Sequence, residues 1–341
     1  MTPLRFVLVG LGARSRTWLH MLTEHSDCTL VGLVDSSPDA VSRAVADHPA
    51  AVAGATLGEV LAKVDADVAL LCTPPAGRHD QIEAACGNGV AILAEKPLAD
   101  TVEDAEAHVA AAAAAGVPLT VGLNFRYLGV TKALKHLFSP DRLGAPEFGR
   151  FTYERWRDGR LPRLNKYPLT MAQPMLWEQS VHHFDLMRFV YDAEPVRISA
   201  RTFNPSWSMY ADDANVSALI TFTDGIEVTY QGTWAGNWQQ MGFDWRTECQ
   251  RGIAVQADMF GELSYALRDD AAPTPVELPD EEPWVDDARG LLEDFVAHFR
   301  DGTPLPCSGV DHLQSLRMVD ACVRASLGEG TVTLHEDGVG E

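Results

Sequence analysis

Short apolar runs alternate with helical stretches through the first 122 residues. The pattern predicts strands at 5–9, 29–34, 68–72, 91–93 and 119–122, with helices after Gly12 and at 38–47, 79–88 and 102–115. Short apolar strands that alternate with helices are typical of a parallel sheet covered on both faces. We therefore expect residues 1–122 to form a doubly wound α/β domain.

The pattern changes after Gly122. It predicts a helix at 129–138, a basic loop, a helix around 174–190, a β-rich stretch from about 197 to 267, an acidic loop at 270–286 and closing helices at about 287–300 and 309–326. Asp224 and Gly225 separate two alternating runs, which is typical of a β-hairpin. We expect residues 123–341 to form an α+β domain. It would have an open, mostly antiparallel sheet with helices on one face, and its closing helices would pack back toward the first domain.

Composition narrows the class of protein. The chain of 341 residues carries a formal net charge of −21, which disfavours nucleic acids and anionic membranes as partners. Its six cysteines are scattered and form no C-x-x-C pair, so neither a zinc ribbon nor a thioredoxin-like motif is indicated. The N-terminus shows no signal-peptide pattern. We expect a cytoplasmic protein with reduced thiols.

A glycine-rich turn follows the first predicted strand. The stretch VGLGARS gives G-x-G-x-x-S between a strand and a helix. Glycines there permit a tight turn and let backbone N–H groups approach a pyrophosphate at the helix N-terminus. The predicted dinucleotide-binding residues of this turn are Gly10, Gly12, Ala13, Arg14 and Ser15.

The second strand indicates which dinucleotide is bound. It ends at Asp35, whose carboxylate is placed to accept hydrogen bonds from a ribose 2′-hydroxyl and would repel a 2′-phosphate. NAD is therefore favoured over NADP. Arg14 and Arg16, close to the turn, leave NADP as an alternative.

Two adjacent histidines occur in the stretch WEQSVHHFDLMR. In an α-helix Glu178, His182 and Asp185 stand at i, i+4 and i+7 and share a face, whereas His183 points about 100° away. A metal site, a proton-transfer group and the buried face of an ordinary helix all fit this spacing. No H-E-x-x-H or cysteine signature supports a metal. Histidine suits proton transfer because its unperturbed pKa is ~6.5.

Four motifs follow one another along the chain: CTPPAGRH (72–79), AEKPLA (94–99), NFRY (124–127) and EQSVHHFD (178–185). Their order resembles the Gfo/Idh/MocA family of oxidoreductases, and the resemblance extends to the closing segment SGVDHLQSLRMVDA. It implies a dinucleotide-binding domain followed by an open-sheet domain. It also implies action on sugars, cyclitols or related polyols, and assembly into a homodimer or homotetramer through the exposed sheet face.

The resemblance also implies roles for individual residues. Lys96 corresponds to a lysine that contacts the reacting hydroxyl and the cofactor, and the Lys96–Pro97 bond is predicted to be cis. His182 takes the place of the family's acid/base histidine, and Glu178 stands where an aspartate is more common. Asp185 is expected either to orient His182 or to bind a substrate hydroxyl. Further cofactor contacts are expected from Thr73, Pro74, His79, Glu95 and Asn124, and further substrate contacts from Arg126 and His183, the latter as a pocket-lining or packing residue.

A basic segment at 150–166 interrupts the acidic chain. It contains Arg150, Arg155, Arg157, Arg160, Arg163 and Lys166, against Glu154 and Asp158. Arginine forks bind carboxylate, phosphate or sulfonate groups, so an anionic substrate held by Arg157 and Arg160 is one hypothesis. A solvated loop, a subunit contact and a contact with cofactor phosphates remain open.

Three tryptophans, Trp234, Trp238 and Trp245, cluster in the β-rich stretch. Aromatic faces pack on the C–H faces of sugars, but they also serve cores and interfaces. Alternate residues of a strand point the same way, so all three cannot line one pocket. A core or interface role is favoured.

These observations together predict an NAD-dependent dehydrogenase that oxidises a secondary hydroxyl of a sugar, sugar acid or cyclitol. His182 would take the hydroxyl proton, Lys96 would stabilise the developing alkoxide, and Glu178 would assist. Two alternatives remain open. One is glycoside cleavage by transient oxidation and elimination with no net redox change. The other is a non-catalytic sensor of sugar and NAD on the same fold.

Overall fold

The computed structural model describes residues 2–162 and 164–334. In this part of the chain the strands are β1 (Leu4–Val9), β2 (Cys28–Val34), β3 (Val52–Gly54), β4 (Val68–Leu71), β5 (Ala91–Ala94), β6 (Leu119–Val121), β7 (Pro146–Glu154), β8 (Pro195–Phe203), β9 (Asn215–Phe222), β10 (Glu227–Thr233), β11 (Gly242–Cys249), β12 (Gly252–Asp258), β13 (Gly261–Leu267), β14 (Thr274–Pro275) and β15 (Thr331–Thr333). The α-helices are α1 (Ser15–Glu24), α2 (Pro38–Asp47), α3 (Leu57–Leu61), α4 (Arg78–Gly87), α5 (Val102–Ala115), α6 (Gly129–Leu137), α7 (Val181–Tyr191), α8 (Asp286–Asp301) and α9 (Gly309–Arg324).

The described residues fall into two compact units. The first runs to Tyr127 and also includes residues 282–313, and the second comprises residues 128–281 and those from Gln314 onward. The units differ from the predicted domains, because residues 123–127 and 282–313 fall with the first. Compactness does not by itself define an independently folding domain, so the domain boundary at residue 122 stays a prediction.

The first unit contains a parallel sheet in the order β3-β2-β1-β4-β5-β6. This is the strand order of doubly wound dinucleotide-binding folds, and it confirms the predicted fold class. Strands β4 and β5 are buried along their whole length, as expected of central parallel strands with helices on both faces. The strand β3 and the helix α3 were not predicted. Helix α3 is only five residues long, and a capping box between Thr56 and Glu59 defines its start.

The second unit contains a sheet in the order β14-β13-β12-β11-β7-β10-β9-β8-β15. Its pairs are antiparallel except for β7 with β10, which confirms the predicted mostly antiparallel sheet. The prediction of a basic loop in this region was partly wrong, because residues 146–154 form β7. Gly149, Phe151 and Tyr153 face the core on alternate positions, while charged residues between them obscure the strand pattern in the sequence.

The hairpin between β9 and β10 confirms the turn predicted at Asp224 and Gly225. Both residues have positive φ, 60° and 78°, as a type I′ turn requires. The register pairs Thr221 with Glu227 and continues to Asn215 with Thr233. The turn thereby sets which residues of β10 face the helices, including Tyr230.

The helix that carries the two histidines is not uniform. Residues Leu176–Ser180 form a π-helical turn, and α7 continues from Val181. Such turns are frequent at functional sites. Among the described residues, no helix has both the length and the apolar character needed to cross a membrane, and all six cysteines are free thiols.

Candidate active site

The glycine turn of the first unit requires Gly10 for two reasons. Its φ is +89°, and a Cβ atom there would lie 3.0 Å from the backbone of both Cys72 and Thr73 at the end of β4. Its N–H donates to the carbonyl of Val34 at 2.8 Å, which joins the turn to the end of β2. A Cβ atom on Gly12 would meet nothing within 4 Å, so the backbone at this position faces open space.

The N-terminus of α1 lacks side-chain acceptors. Arg14 at the N-cap makes no capping hydrogen bond, and in the described structure the first turn holds no acidic residue. The Oγ atom of Ser15 instead donates to the carbonyl of Gly12 at 2.8 Å, which closes the turn. First-turn N–H groups without such acceptors, together with the positive end of the helix dipole, make an anion-binding site.

Arg14 is held by a buried carboxylate. Its Nε donates to Glu95 Oε1 at 2.5 Å, and Trp18 Nε1 donates to the same oxygen at 2.7 Å. Burial opposes ionisation of Glu95, but the charge and hydrogen bond of Arg14 outweigh it, so the pKa of this carboxyl is lowered from its ordinary value. Arg14 therefore links the glycine turn to the residue that precedes Lys96.

Asp35 lies at the end of β2 with its carboxylate directed at the glycine turn. One oxygen accepts from the backbone N–H of Leu11 at 2.6 Å, and the other accepts from that of Ser37 at 2.8 Å. Each carboxylate oxygen can accept a further hydrogen bond. The side chain is half-buried and its position next to the turn suits recognition of a ribose.

Arg78 is a buried arginine that the sequence analysis did not select. Its guanidinium donates to the carbonyls of Thr73 and Pro97, each at 2.5 Å, and to that of Glu95. It thereby joins the loops that follow β4 and β5. The Lys96–Pro97 peptide bond within the second loop is cis, as predicted. The motif CTPPAGRH contained Arg78 but held no signal that this side chain, rather than His79, would point inward.

Other predicted cofactor residues have the following contacts within the first unit. Thr73 Oγ1 donates to Gln81 at 2.8 Å, and the neighbouring Pro74 is exposed. The exposed His79 lies 3.3 Å from a carboxylate oxygen of Glu83, and its ring centroid lies 5.8 Å from that of His108. These contacts do not test cofactor binding, which stays a prediction for Thr73, Pro74 and His79.

Two predicted site residues of the NFRY motif pair with acids from the closing part of the chain. Asn124 is buried and donates through Nδ2 to Asp287, whose carboxyl has a raised pKa because of burial. Arg126 forms an ion pair with Asp311 at 2.6 Å. No spacing in the sequence pointed to either acid, since each lies more than 150 residues from its partner.

In the second unit, His183 faces a buried aromatic cluster. Its side chain is fully buried, and its ring centroid lies 4.7 Å from that of Phe151 and 4.8 Å from that of Tyr153. Its Nδ1 atom lies 2.8 Å from the hydroxyl of Tyr230, and its Nε2 lies 3.1 Å from Nε2 of Gln179. Burial lowers its pKa to about 3. Of the two interpretations of His183, pocket lining and packing, these contacts favour packing.

The hydrogen-bond chain around His183 has a definite direction. Ser180 Oγ donates to the carbonyl of Met175, and Tyr230 donates its O–H to Ser180. The Tyr230 oxygen can therefore accept only from an Nδ1–H group of His183. The other ring nitrogen then carries no proton and accepts from the amide of Gln179. His183 is thus held neutral with its proton on Nδ1.

His182 and Asp185 lie on α7, whereas Glu178 lies on the π-helical turn before it. The predicted α-helical spacing therefore holds for His182 and Asp185 but not for Glu178. His182 is 4% exposed. Asp185 is buried and accepts a hydrogen bond from Ser315 Oγ at 3.3 Å, with a guanidinium nitrogen of Arg188 3.9 Å away.

The basic segment divides into paired and unpaired side chains. Arg150 pairs with Asp244 at 2.7 Å, and Arg160 pairs with Asp158 at 2.9 Å. Lys166 donates to two backbone carbonyls of its own loop. Arg157 instead lies against Trp234, with its guanidinium carbon 4.4 Å from the ring centroid. Arg163 lies outside the described residues.

The three tryptophans of the β-rich stretch have different environments. Trp234 and Trp245 are 3% and 1% exposed, and Trp238 is 71% exposed. Trp245 donates its Nε1–H to the hydroxyl of Tyr191 at 2.8 Å. The two buried rings therefore belong to the core, as favoured, and the exposed ring lies on the surface.

Family models match both parts of the chain. The model described as "Oxidoreductase family, NAD-binding Rossmann fold" matches residues 4–123, and that of the "GFO/IDH/MocA C-terminal domain" matches residues 131–254. The chain belongs to the GFO/IDH/MocA family. It is an NAD-binding oxidoreductase of the class that acts on CH–OH donors.

Relatives within this family include named dehydrogenases. The inositol 2-dehydrogenase of Rhizobium meliloti is 24% identical over 333 residues, which cover 94% of this chain and 96% of that protein. The D-apiose dehydrogenase of Paraburkholderia graminis is 25% identical over 341 residues, which cover 96% of this chain and 88% of that protein. An oxidoreductase from Agrobacterium radiobacter, solved in complex with NAD+, L-tartaric acid and magnesium, shares the fold with a TM-score of 0.88 and 18% identity; the match covers 97% of this chain and 98% of the other.

The first unit of this family member fits NAD on its own geometry. Gly12 faces open space, the N-terminus of α1 has no side-chain acceptor, and Asp35 lies beside the same turn. A pyrophosphate needs the first two features, and an unphosphorylated ribose needs the third. Among the described residues, no group of three or more histidine, cysteine, aspartate or glutamate side chains is arranged to hold a metal ion.

Proposed function

We propose that this protein is an NAD-dependent dehydrogenase that oxidises a secondary hydroxyl of a sugar, sugar acid or cyclitol. The observation that carries the proposal is the placement of Lys96. It directly follows Glu95 at the carboxyl end of β5, in the loop that Arg78 joins to the loop after β4. Ligands of doubly wound sheets bind at the carboxyl ends of the strands. A lysine held there suits contact with both a cofactor and a substrate oxygen.

The cofactor would be held by the glycine turn and by Asp35. First-turn N–H groups of α1, beside Gly12, would bind the pyrophosphate, and the carboxylate of Asp35 would accept hydrogen bonds from the ribose. Thr73, Pro74, His79 and Asn124 are proposed as further contacts. When bound, NAD supplies the acceptor for the hydride that leaves the carbinol carbon. Glu95 would neutralise Arg14, so that this guanidinium stays directed into the protein.

Lys96 would stabilise the negative charge that develops on the substrate oxygen, and His182 would accept the hydroxyl proton. The ammonium of Lys96 would donate a hydrogen bond to the substrate oxygen and stabilise its growing negative charge. The imidazole of His182 would accept the hydroxyl proton, with Glu178 assisting and Asp185 either orienting His182 or binding a neighbouring hydroxyl. The products would be a ketone, NADH and one proton. Arg126, Arg157 and Arg160 are the remaining proposed substrate contacts.

The named relatives support the substrate class. Inositol 2-dehydrogenase and D-apiose dehydrogenase are named for a cyclitol and a sugar, and the structural neighbour from Agrobacterium radiobacter binds L-tartaric acid. All three compounds carry secondary hydroxyls. This support concerns the class of substrate and leaves its identity open.

The decisive experiment is a substrate screen. The purified protein would be incubated with neutral sugars, acidic sugars and cyclitols, with NAD and NADP in parallel, and the absorbance of reduced nicotinamide would be followed. Reduction of NAD by one compound class supports the proposal. Release of a sugar from a glycoside with no net reduction would replace it with the elimination chemistry. Tight NAD binding without turnover of any compound would favour a sensor.

We also propose a homodimer or homotetramer formed through the open face of the second unit's sheet. The outward positions of β7, β8 and β9 present Phe148, Phe203 and Leu219, which are 56%, 42% and 48% exposed. Exposed apolar side chains on a sheet face are typical of an interface. Sedimentation analysis of the wild type and of Leu219→Glu tests this, since a wild-type monomer would reject it.

A further inference from the structure

Arg157 carries a charge that the described residues do not neutralise. Its guanidinium contacts the ring of Trp234, and its Nη1 atom is buried without a hydrogen-bond partner. The adjacent carboxylate, Asp158, is bound to Arg160 instead. In a chain with 48 acidic residues against 27 basic ones, a carboxylate partner would be easy to supply. An arginine without one therefore points to an acceptor outside the chain.

Trp234 is a second donor without an acceptor among the described residues. The residue is 3% exposed, yet its Nε1–H has no hydrogen-bond partner among the described residues. Other indole N–H groups of the protein do find acceptors: that of Trp18 on Glu95 at 2.7 Å, that of Trp207 on the carbonyl of Ala235 at 2.9 Å, and that of Trp245 on Tyr191 at 2.8 Å. A buried indole usually satisfies its N–H. Trp234 departs from that rule, and its ring is the one that the guanidinium of Arg157 contacts.

Backbone pairing holds both residues in position. Strand β7 runs beside β10, and beyond the ends of both strands the N–H of Arg157 donates to the carbonyl of Trp234 at 3.0 Å. The carbonyl of Arg157 accepts from the hydroxyl of Tyr210 at 2.7 Å. The side chain of Arg157 is half-buried as a whole, so its guanidinium keeps a route to solvent. The two donors are therefore preorganised by tertiary structure rather than carried on a free loop.

The pair lies on the same side of the sheet as the histidine helix. On β10, Tyr230 hydrogen-bonds to Ser180 and His183, and a Cβ atom on Gly232 would lie 2.7 Å from Met175. Trp234 is two residues beyond Gly232 and therefore faces the same side of the sheet. Four residues at ~3.3 Å each place it roughly 13 Å from Tyr230 along the strand direction. The direction from Tyr230 to Trp234 passes Met175, which precedes the π-helical turn that carries Glu178. A ligand group bound by Arg157 would thus lie beyond the N-terminal end of the helical segment that carries Glu178 and His182.

We propose that Arg157 and Trp234 form a binding site for a carboxylate of the substrate, so that the enzyme acts on acidic polyols in preference to neutral ones. The guanidinium carbon lies 4.4 Å from the centroid of the indole ring, and an arginine over an aromatic face can still donate its N–H groups to a planar anion. A carboxylate has two oxygens in that plane and accepts from an arginine edge and a neighbouring N–H together. This inference rests on the proposed dehydrogenase function and specifies its substrate class.

The test uses matched pairs of substrates that differ in one carboxylate. Galactose and galacturonate, and glucose and glucuronate, would be assayed with NAD in the wild type, Arg157→Gln, Arg157→Lys and Trp234→Phe. We expect the wild type to favour the acids. Arg157→Gln should raise KM for the acids by about tenfold to hundredfold, as loss of a charged hydrogen bond does, while KM for the neutral sugars stays within about twofold.

Arg157→Lys and Trp234→Phe separate the contribution of the guanidinium from that of the indole N–H. Arg157→Lys keeps the charge but not the fork, so KM for the acids should fall between those of the wild type and Arg157→Gln. Trp234→Phe keeps the aromatic face and removes only the N–H, so a rise of a few-fold is expected. Arg268→Gln is the charge-matched control. Arg268 is exposed and its side chain donates to the carbonyl of Gln250, and its loss should leave KM for both substrate classes unchanged.

Two outcomes would overturn the proposed carboxylate site without affecting the proposed dehydrogenase function. One is equal use of acids and neutral sugars by the wild type, and the other is an unchanged KM for the acids in Arg157→Gln. If no compound reduces NAD, the dehydrogenase itself fails. In that case the carboxylate site is tested separately. Galacturonate and glucuronate are titrated into the protein in the presence of NAD, and binding is measured by isothermal titration calorimetry. Binding by the wild type but not by Arg157→Gln supports it, and binding by neither or by both rejects it.

Discussion

The Nδ1 atom of His183 lies 2.8 Å from the hydroxyl oxygen of Tyr230, and this contact separates the roles of two adjacent histidines. The chain from His183 through Tyr230 and Ser180 ends on the carbonyl of Met175, which closes the π-helical turn onto the sheet. His183 thus fastens the helix to β10. His182, one position earlier, is the histidine that we propose for proton transfer.

The buried His183 should make folding sensitive to acid. Its pKa is about 3 in the folded state because of burial, against ~6.5 in the unfolded chain. Between these values the unfolded chain binds a proton that the folded chain does not, so stability falls as the pH falls from ~6.5 toward 3, by at most ~1.4 kcal/mol per pH unit. Urea denaturation of the wild type and His183→Gln at pH 7, 6 and 5 measures this, and the variant should show the shallower dependence.

Tyr230→Phe is the matched control for that experiment. It removes the hydroxyl but leaves His183 buried, so we expect lower stability at every pH, by about 1–3 kcal/mol, with the wild-type slope retained. A slope in His183→Gln as steep as in the wild type would show that other groups carry the acid sensitivity.

Replacement of Lys96 should separate catalysis from cofactor binding. In Lys96→Ala the charge that stabilises the developing alkoxide is absent, and kcat should fall by about 10²–10³-fold, as for loss of an oxyanion donor. The affinity for NAD should change much less, since the pyrophosphate and ribose are assigned to the glycine turn and Asp35. Steady-state kinetics and NAD titration test this together. An unchanged kcat would remove Lys96 from the reaction.

Replacement of His182 should remove proton transfer. His182→Asn keeps a polar side chain of similar size, and kcat should fall by about 10²–10⁴-fold. The decline of kcat/KM at acidic pH should also disappear, because a protonated imidazole cannot accept the hydroxyl proton and the variant has no imidazole there. Measurement of kcat/KM from pH 5 to 9 in both proteins provides the test. A variant with full activity and the wild-type profile would contradict the assignment.

The carboxylate of Asp35 should govern cofactor choice. Asp35→Asn keeps an acceptor for the backbone of Leu11 but removes the charge that would repel a 2′-phosphate. We expect the ratio of kcat/KM for NAD to that for NADP to fall by about tenfold or more. Asp39→Asn, an exposed change in the first turn of α2, removes the same charge and should leave the ratio unchanged. An equal response of the two variants would mean that only overall charge matters.

Arg78 should contribute strongly to stability. Arg78→Met removes this donor from the half-buried Thr73 carbonyl and from the buried carbonyls of Glu95 and Pro97, and each buried group left unpaired costs about 1–3 kcal/mol. We expect the free energy of unfolding to fall by at least about 3 kcal/mol in urea. Arg43→Met replaces an exposed arginine on α2 and should change it by less than about 0.5 kcal/mol. Equal effects of both substitutions would contradict a bracing role for Arg78.

Much of the first unit was predictable because its signals are local. Strands such as β4 and β5 are short apolar runs bounded by turn residues, and Gly10 occurs where a positive φ and close packing both demand glycine. The strand β3 escaped prediction since three residues are too few to show a period. Strand β7 escaped because Arg150 and Glu154 stand on its outward face and made the segment resemble a loop.

The sequence by itself determined the hydrophobic pattern of the strands in the two sheets, the glycine turn and the hairpin at Asp224 and Gly225. It also determined the motifs that mark the family. Each of these features depends on residues only a few positions apart. Only the tertiary structure decided that His183 meets Tyr230, that Arg14 meets Glu95, and that Arg157 lies against Trp234. A side chain's charge state and hydrogen-bond partner depend on what lies within a few ångströms of it. For His183, Arg14 and Arg157 those atoms come from residues 47 to 81 positions distant in the chain.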